Sequence, residues 1–399
     1  MQTLIWLIVS LFFTALTLNT IHYLFYAAVG RLGRADDVTP TDGVPDPDVP
    51  KRRIAVLIPA YKEDAVILES VKANLRQTYP TDRYRLIVIA DQFQQRTLDA
   101  LARLSAAAPV TVLPVSFQVS TVTKAINAAL AIISPDEYDI VMVADADNHL
   151  APDFLSRVDA AFAAGWRAVQ GHRVAKNINT RVALLDAISE EINNHITRRG
   201  YRVAGLSATI IGSGMAVETG LMKQAMSNLT TIGGFDKELA MKLAIDGHRI
   251  GYLERALVYD EKVAKRAVFE HQRTRWIAAQ YQFVVDYFKP GVRSLLAGRW
   301  LSGIKLLQEM ALPKVLLLGL LLLTTLACAL LGYVPALLLS AALLLTLCLS
   351  MALSIPAYLW RRLSIRDLGV VFALMLSFGK ALLNMRKAFK SFMHTPHNA

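Results

Sequence analysis

Between Thr3 and Ala28 the chain carries no Lys, Arg, Asp or Glu, and from Val315 to Tyr358 it is almost wholly apolar apart from Thr, Ser and two Cys. A helix needs about 20 apolar residues to cross the hydrocarbon of a bilayer, where every backbone polar group must find its partner inside the segment. The first run is therefore expected to be one span and the second a pair of spans, with Gly332 to Pro335 (GYVP) as the hairpin between them. A cleaved signal peptide would want a charged leader and a shorter apolar core. Met1-Gln2-Thr3 offers no charge, so an uncleaved anchor over residues 1–30 is the reading.

Basic residues orient these spans. Arg31 and Arg34 follow the first, and Arg361, Arg362 and Arg366 follow the third, so both flanks are expected in the cytoplasm together with the large middle segment. From 312 to 390 the expectation is two spans plus a re-entrant or interfacial helix near Leu368 to Met385, then a cytosolic tail over 391–399. Val292, Leu296, Trp300, Ile304, Leu307 and Ala311 fall on one helical face, and Arg293, Ser302, Lys305 and Glu309 on the other. That pattern over 291–311 predicts an amphipathic helix on the membrane surface, with a core helix of the soluble domain as the alternative. Cys328 and Cys348 both lie in predicted spans, which leaves no disulfide framework and no cysteine metal site. The net charge of +11 has no compact basic run with interleaved aromatics, so anionic lipid, not nucleic acid, is the expected partner.

Between the spans, residues 51 to about 290 alternate strand and helix signals. Arg53 to Tyr61, Tyr84 to Asp91, Val110 to Ser116 and Tyr138 to Asp147 read as four apolar strands, with a helical pattern before each of the last three. Continuous apolar strands alternating with helices imply an α/β domain whose mostly parallel sheet is covered on both faces, with ligands bound beyond the carboxyl ends of the strands. Glu63, Asp91, Asp145 and Asp147 all fall at those ends. Four converging carboxylates repel one another unless a cation or a ligand's donors stand between them. Asp145-Ala146-Asp147 after a strand places two hard oxygen ligands within reach of one Mg²⁺ or Mn²⁺ carrying a pyrophosphate. Alone, a solvated strand-end turn explains the pair as well.

Other stretches stand with it in order: IPAYKED at Ile58, VIAD at Asp91, TKAINAAL at Lys124, DAD at Asp145, GSGMAV at Gly212, FDKELAMKLAIDGHRIGY at Phe235 and QRTRW at Gln272. Together they resemble the inverting, membrane-integrated family 2 glycosyltransferases, the group of the cellulose, chitin and hyaluronan synthases and of ceramide glucosyltransferase, over residues 52 to 276. The resemblance implies a GT-A (Rossmann-like) domain that uses a nucleotide-sugar donor, a UDP-sugar by family default, with a saccharide or lipid acceptor. It implies that Pro59, Tyr61, Glu63 and Asp91 cradle base and ribose, that Lys124 lies near the diphosphate, that Asp147 ligates the metal and that Asp145 touches metal or nucleotide. His149 is a second ligand or a loop histidine. Gln272, Arg273, Arg275 and Trp276 would border acceptor and diphosphate. The family's Thr-Glu-Asp reads Gly234-Phe235-Asp236 here, and the spacing to Gly247 makes Asp236 the base, with Glu238 as runner-up. The lost glutamate puts its own contacts in doubt. A growing polysaccharide is the expected acceptor, a lipid the alternative and a non-catalytic assembly partner the third reading; a bacterial inner membrane is the expected location.

Overall fold

The computed structural model describes residues 2–33, 51–227, 229, 234–262, 266–367, 369–373 and 375; of residues 266–275 it describes the backbone. The interfacial helix expected near 368–385 falls mostly outside these residues, and the tail over 391–399 wholly so.

The chain begins with α1 (Gln2–Leu32). There follow β1 (Ile54–Tyr61), α2 (Ile67–Asn74), β2 (Tyr84–Asp91), α3 (Gln95–Ser105), β3 (Val110–Val115), α4 (Val122–Ile132), β4 (Ile140–Val143), the two-residue β5 (His149–Leu150), α5 (Phe154–Ala163) and β6 (Ala168–Ala175). Helix α6 (Arg181–Asn193) runs on as a π-helix (Asn194–Gly200) and the single turn α7 (Tyr201–Val203), before β7 (Met215–Glu218), α8 (Thr219–Met226), α9 (Phe235–Ile245) and β8 (Gly251–Asp260). The C-terminal part holds α10 (Arg266–Leu296), α11 (Trp300–Glu309), α12 (Lys314–Leu330) and α13 (Val334–Ser354).

One eight-stranded sheet, in the order β3-β2-β1-β4-β7-β6-β8-β5, forms the centre. β3, β2, β1 and β4 are parallel, while β7 runs antiparallel to both of its neighbours. Because side chains alternate along a strand, Ile54, Val56 and Ile58 of β1 enter one core with α5, and Ala55 and Leu57 enter the other with α4, α8 and α9. Each such buried side chain contributes about 1.5–3 kcal/mol. Both faces are covered, as the unbroken apolar runs require. The chain order reverses between β1 and β4, and at such a switch point the crevice beyond the strand ends is left open for a ligand.

A third core joins this domain to the apolar helices. Leu16, Tyr23 and Ala27 of α1 pack with Leu184, Ile188 and Ile192 of α6 and with Leu317 and Leu343 of α12 and α13. Gly200 permits the approach: a Cβ there would stand 2.4 Å from the Tyr26 carbonyl oxygen. Helices α1 and α13 are long and apolar enough to cross a membrane, and α11 with α12 makes a pair bent by 57° that can supply a third crossing. The α12 helix alone has 17 residues, the lower limit for a span. Gly332 adopts φ +66° and Pro335 opens α13, so the hairpin forms where GYVP suggested.

Two boundaries read from the sequence shift. Residue 291 lies inside α10, not at the start of a new element, and the amphipathic stretch 291–311 is two helices broken at Gly298, whose φ is +74°. On α11 the two faces of the pattern stay distinct, with Ser302, Lys305 and Glu309 buried against the sheet domain and Trp300 and Leu307 exposed.

Candidate active site

In the β1–β2 ladder Tyr61 lies directly beside Asp91. The residues after these strands, Lys62 and Gln92, both hold φ of 56°, a left-handed conformation costly for a side chain and found where surrounding structure enforces it. Lys62 N–H donates to the Asp91 carbonyl (3.0 Å), which locks the two strand ends together. A small cleft of about 40 Å³ opens there, lined by Pro59, Ala60, Tyr61, Asp91, Ser120, Thr121, Val122 and Ala125. Asp91 is 3% exposed, and its Oδ1 and the Ser120 Oγ are buried with no hydrogen-bond partner among the described residues. Buried polar atoms are nearly always paired, so an acceptor and a hydroxyl left open in one cleft suit a polar, planar ligand such as a nucleobase.

Of the residues expected in this cradle, Pro59, Tyr61 and Asp91 line the cleft together, and Glu63 is buried just beyond it, where its carbonyl accepts the first N–H groups of α2. Lys124 sits in the first turn of α4 with its ammonium donating to the Val119 carbonyl (2.8 Å), over the loop that carries Ser120 and Thr121. Thr121 caps α4 by accepting from Lys124 N–H (3.2 Å). The sequence reading passed over Ser120 and Thr121; their signal was their place just before an apolar helix, where a hydroxyl cap belongs.

At the end of β4, Asp147 is 3% exposed. Its Oδ1 accepts from Asn148 Nδ2 (3.1 Å) and its Oδ2 from the Glu261 N–H (3.4 Å). Asn148 also donates to Asp260 Oδ1 (3.1 Å) and accepts from the Ser213 hydroxyl, while Ser213 Oγ in turn accepts from the Asp145 N–H (3.1 Å). His149 Nε2 lies 3.1 Å from Lys176 Nζ, which also donates to the Asp147 carbonyl (3.4 Å), and burial pulls the His149 pKa down.

Behind the aspartates lies a buried ionic layer that the sequence did not single out. Arg173 pairs with Glu190 (2.9 Å), Glu190 with Arg198 (3.1 Å), and Lys262 with Asp260 (2.7 Å). Burial pushes the Glu190 and Asp260 carboxyls up, yet their cationic neighbours outweigh it and hold both below the usual range. Arg173 also faces Asp145, so that carboxylate stands beside a buried cation.

Among the described residues no group of three or more His, Cys, Asp or Glu side chains is placed to hold a metal. A cation of the Mg²⁺ type takes only one or two protein carboxylates and fills its remaining positions with water and substrate phosphates, so a pair of aspartates is a donor set of the kind such an ion uses.

The Gly212-Ser213-Gly214 loop ties this edge to α9. Gly212 (φ +76°) lies against Phe235 and Asp236, a Cβ built on it standing 3.9 Å from the Asp236 Cβ, while Ser213 next door holds the Asp145 loop. Asp236 is in the first turn of α9, entered through Gly234 at φ +76°, where a side chain would meet Ala279 of α10 at 2.7 Å. Burial pushes the Asp236 carboxyl up, partly offset by the Lys237 ammonium and by backbone N–H groups of its own turn. Glu238, two residues on, accepts from the Tyr287 hydroxyl of α10 (2.8 Å) and is buried. Of the QRTRW stretch, Trp276 is partly exposed on α10; the side chains of Gln272, Arg273 and Arg275 lie outside the described set.

A family model described as "Glycosyltransferase like family 2" matches residues 50–279. The chain is 25% identical over 313 residues to a probable glycosyltransferase, YdaM, of Bacillus subtilis, covering 70% of this chain and 69% of that one. It is 26% identical over 300 residues to the β-monoglucosyldiacylglycerol synthase of Synechocystis, covering 68% of this chain and 60% of that one, and it spans half the length of the Nostoc enzyme of the same name at 27% identity. Among solved structures, the mannosyltransferase PcManGT of Pyrobaculum calidifontis, in complex with GDP-Man and Mn²⁺, shares the fold at a TM-score of 0.56 and 20% identity, over 94% of this chain and 98% of that one.

Proposed function

The chain belongs to glycosyltransferase family 2, and on that premise we propose that it moves one sugar from a nucleotide sugar to a lipid hydroxyl, with inversion, at the cytosolic face of a bacterial inner membrane. The observation that supports the reading is the Gly212-Ser213-Gly214 loop: Gly212 lies against Asp236 while Ser213 holds the Asp145 loop, so the proposed base and the proposed diphosphate end adjoin one segment. Asp91, Tyr61, Pro59 and Ser120 take the base and ribose of the donor, with Glu63 and Lys124 at the rim. Asp147 and Asp145 would hold a divalent cation, which when bound supplies positive charge opposite the departing diphosphate. Asp236 Oδ accepts the proton of the acceptor hydroxyl as its oxygen attacks the anomeric carbon from the face opposite the leaving group. Burial suits this role by raising the carboxylate's affinity for the proton. Gln272, Arg273, Arg275 and Trp276 border acceptor and diphosphate on α10.

A lipid replaces the growing polysaccharide as the acceptor of choice for two reasons. The relatives named β-monoglucosyldiacylglycerol synthase use a lipid by name. Among the described residues, two or three apolar crossings are also few for a channel that passes a polymer. The exposed Trp300 and Leu307 of α11 and Tyr281, Val285 and Phe288 of α10 rest on the membrane surface beside the cleft, where a lipid hydroxyl can rise into it.

The test is product class. Purified protein is incubated with radiolabelled UDP-glucose, or with GDP-mannose, and vesicles containing diacylglycerol. One added sugar on solvent-extractable lipid is the expected result; a ladder or polymer returns the polysaccharide reading. Impermeant thiol labelling of cysteines placed at Lys124 and Arg362 in intact cells checks orientation, and labelling from outside contradicts it.

A further inference from the structure

Lys237 is the immediate neighbour of Asp236, and an ammonium at that place has a carboxylate within reach on its own helix turn. It is held instead in an ion pair with a different carboxylate. Its Nζ lies 2.7 Å from Glu309 Oε2, and the other oxygen of Glu309 lies 2.9 Å from Lys305 Nζ. Glu309 and Lys305 are buried at 4% and 1% exposure although they belong to α11, the helix whose opposite face exposes Trp300 and Leu307. The cluster is anchored on several sides. Lys305 donates to the Ala208 carbonyl (3.3 Å), the Thr209 hydroxyl approaches Glu309 Oε1 (3.5 Å), and Gln280 of α10 donates to the Glu309 carbonyl. Burial pushes the Glu309 carboxyl up, but Lys237 and Lys305 outweigh it and hold it down at about 2, so it stays ionised at any working pH.

We infer that Glu309 is a positioning residue for the transfer reaction: from the membrane-lying helix it draws the Lys237 ammonium away from Asp236 and leaves that carboxylate free to accept a proton. The inference rests on Asp236 being the base. Its chemistry is simple. A carboxylate in a direct pair with an ammonium loses basicity, commonly by one to three pKa units, and has a lone pair occupied. Among the described residues, the charged groups that act on Asp236 are Lys237 from α9 and Glu309 from α11. The adjoining loop presents Gly212, and α10 presents Ala279 where it crosses Gly234. Without Glu309, the carboxylate next to Lys237 on its own turn is Asp236, on which its ammonium already acts. A further part of the arrangement is that Lys305 remains tolerable when Glu309 goes, since burial already favours its neutral amine, which can still donate to Ala208.

The test is suppression in full-length protein, using whichever of UDP-glucose and GDP-mannose the wild type turns over. Glu309→Gln is expected to lower kcat about tenfold with donor KM within about twofold, the pattern of a lost transition-state interaction. Adding Lys237→Met is expected to restore kcat to within about threefold of wild type, and Lys237→Met alone to stay in that range, because the competing cation is gone. A buried structural pair gives the opposite pattern, in which the double variant is as slow as Glu309→Gln or slower. That result overturns the inference, as does a large loss in Lys237→Met alone, which would give Lys237 a direct role. If Glu309→Gln does not fold, Glu309→Asp replaces it: it keeps the charge and withdraws it by one methylene, with a smaller loss that the same second change must still suppress. Asp236→Asn run alongside separates the two claims. A normal rate in that variant removes the base and this inference with it, whereas a dead Asp236→Asn without suppression removes only the role of Glu309.

Discussion

Replacing Asp91 by Asn should make the ligand-free protein more stable and its nucleotide complex weaker, two effects that a residue with a purely structural role cannot produce together. The magnitude follows from the cleft. Asp91 is 3% exposed and its Oδ1 has no hydrogen-bond partner among the described residues. A buried acceptor left unmade costs about 1–3 kcal/mol, and a hydrogen bond from a ligand donor to a charged acceptor contributes about 1.5–3 kcal/mol. The isosteric amide still leaves one polar atom at the Oδ1 position but removes the charge, the costlier part of an unpaired buried carboxylate. It should therefore raise the thermal midpoint of the empty protein by about 2–6 °C, and weaken nucleotide binding about 10–100-fold. Differential scanning fluorimetry in detergent reads the first and titration calorimetry with UDP and GDP the second. A variant that melts earlier than wild type and binds nucleotide equally well would refute the reasoning, because Asp91 would then be a buried structural carboxylate whose partner is its own fold.

Three further outcomes follow. Glu238→Gln should retain most of the turnover, since its carboxylate is engaged by the Tyr287 hydroxyl, and should cost about 0.5–1.5 kcal/mol by weakening the α9–α10 contact, read as a lower melting point shared by Tyr287→Phe. Turnover should fall on acidification at a pH above the ordinary carboxylate range, because burial pushes Asp236 up and the protonated form cannot accept a proton; a kcat profile still flat through that range contradicts the assignment. Asp147→Ala should abolish turnover, and chelator should silence the wild type until Mg²⁺ or Mn²⁺ is returned, whereas full activity in excess chelator would contradict a metal held there.

The parallel half of the sheet was legible because burial on both faces leaves β1 and β4, and β2 after Arg85, as apolar runs that stop at the site itself. Tyr61 and Asp91 follow from that pattern: a polar residue at the end of such a run must face the cleft. The mixed half, in which β6 and β8 are parallel and β7 runs antiparallel, was harder. β6, β7 and β8 pair across long stretches of chain, with a register shift at Gly171 and His172, and no local signal dictates which strand lies beside which. The Arg173, Glu190, Arg198 and Lys262 layer was invisible for the same reason, since charged residues in a sequence read as solvated until the fold brings their partners to them. On α11 the polar face was visible and its meaning was not. Lys305 and Glu309 look like a solvent face by periodicity, yet they are buried and the apolar face is turned outward. Gly298 ended the amphipathic helix early, a break that one small residue in an otherwise helical pattern can cause without changing the periodicity.

The central claim is that Asp236 takes the proton of the acceptor hydroxyl in a single displacement. A carboxamide keeps the shape of the side chain and cannot accept that proton, so the most direct measurement is the turnover of Asp236→Asn at saturating donor and acceptor, with nucleotide affinity taken from calorimetry on the same preparation. The account predicts a fall of about 10²–10⁴-fold in turnover with nucleotide affinity unchanged within about twofold. Turnover near the wild-type rate would contradict it, and if Glu238→Gln were then the inactive variant, the base would be Glu238 and the spacing to Gly247 would have been misread.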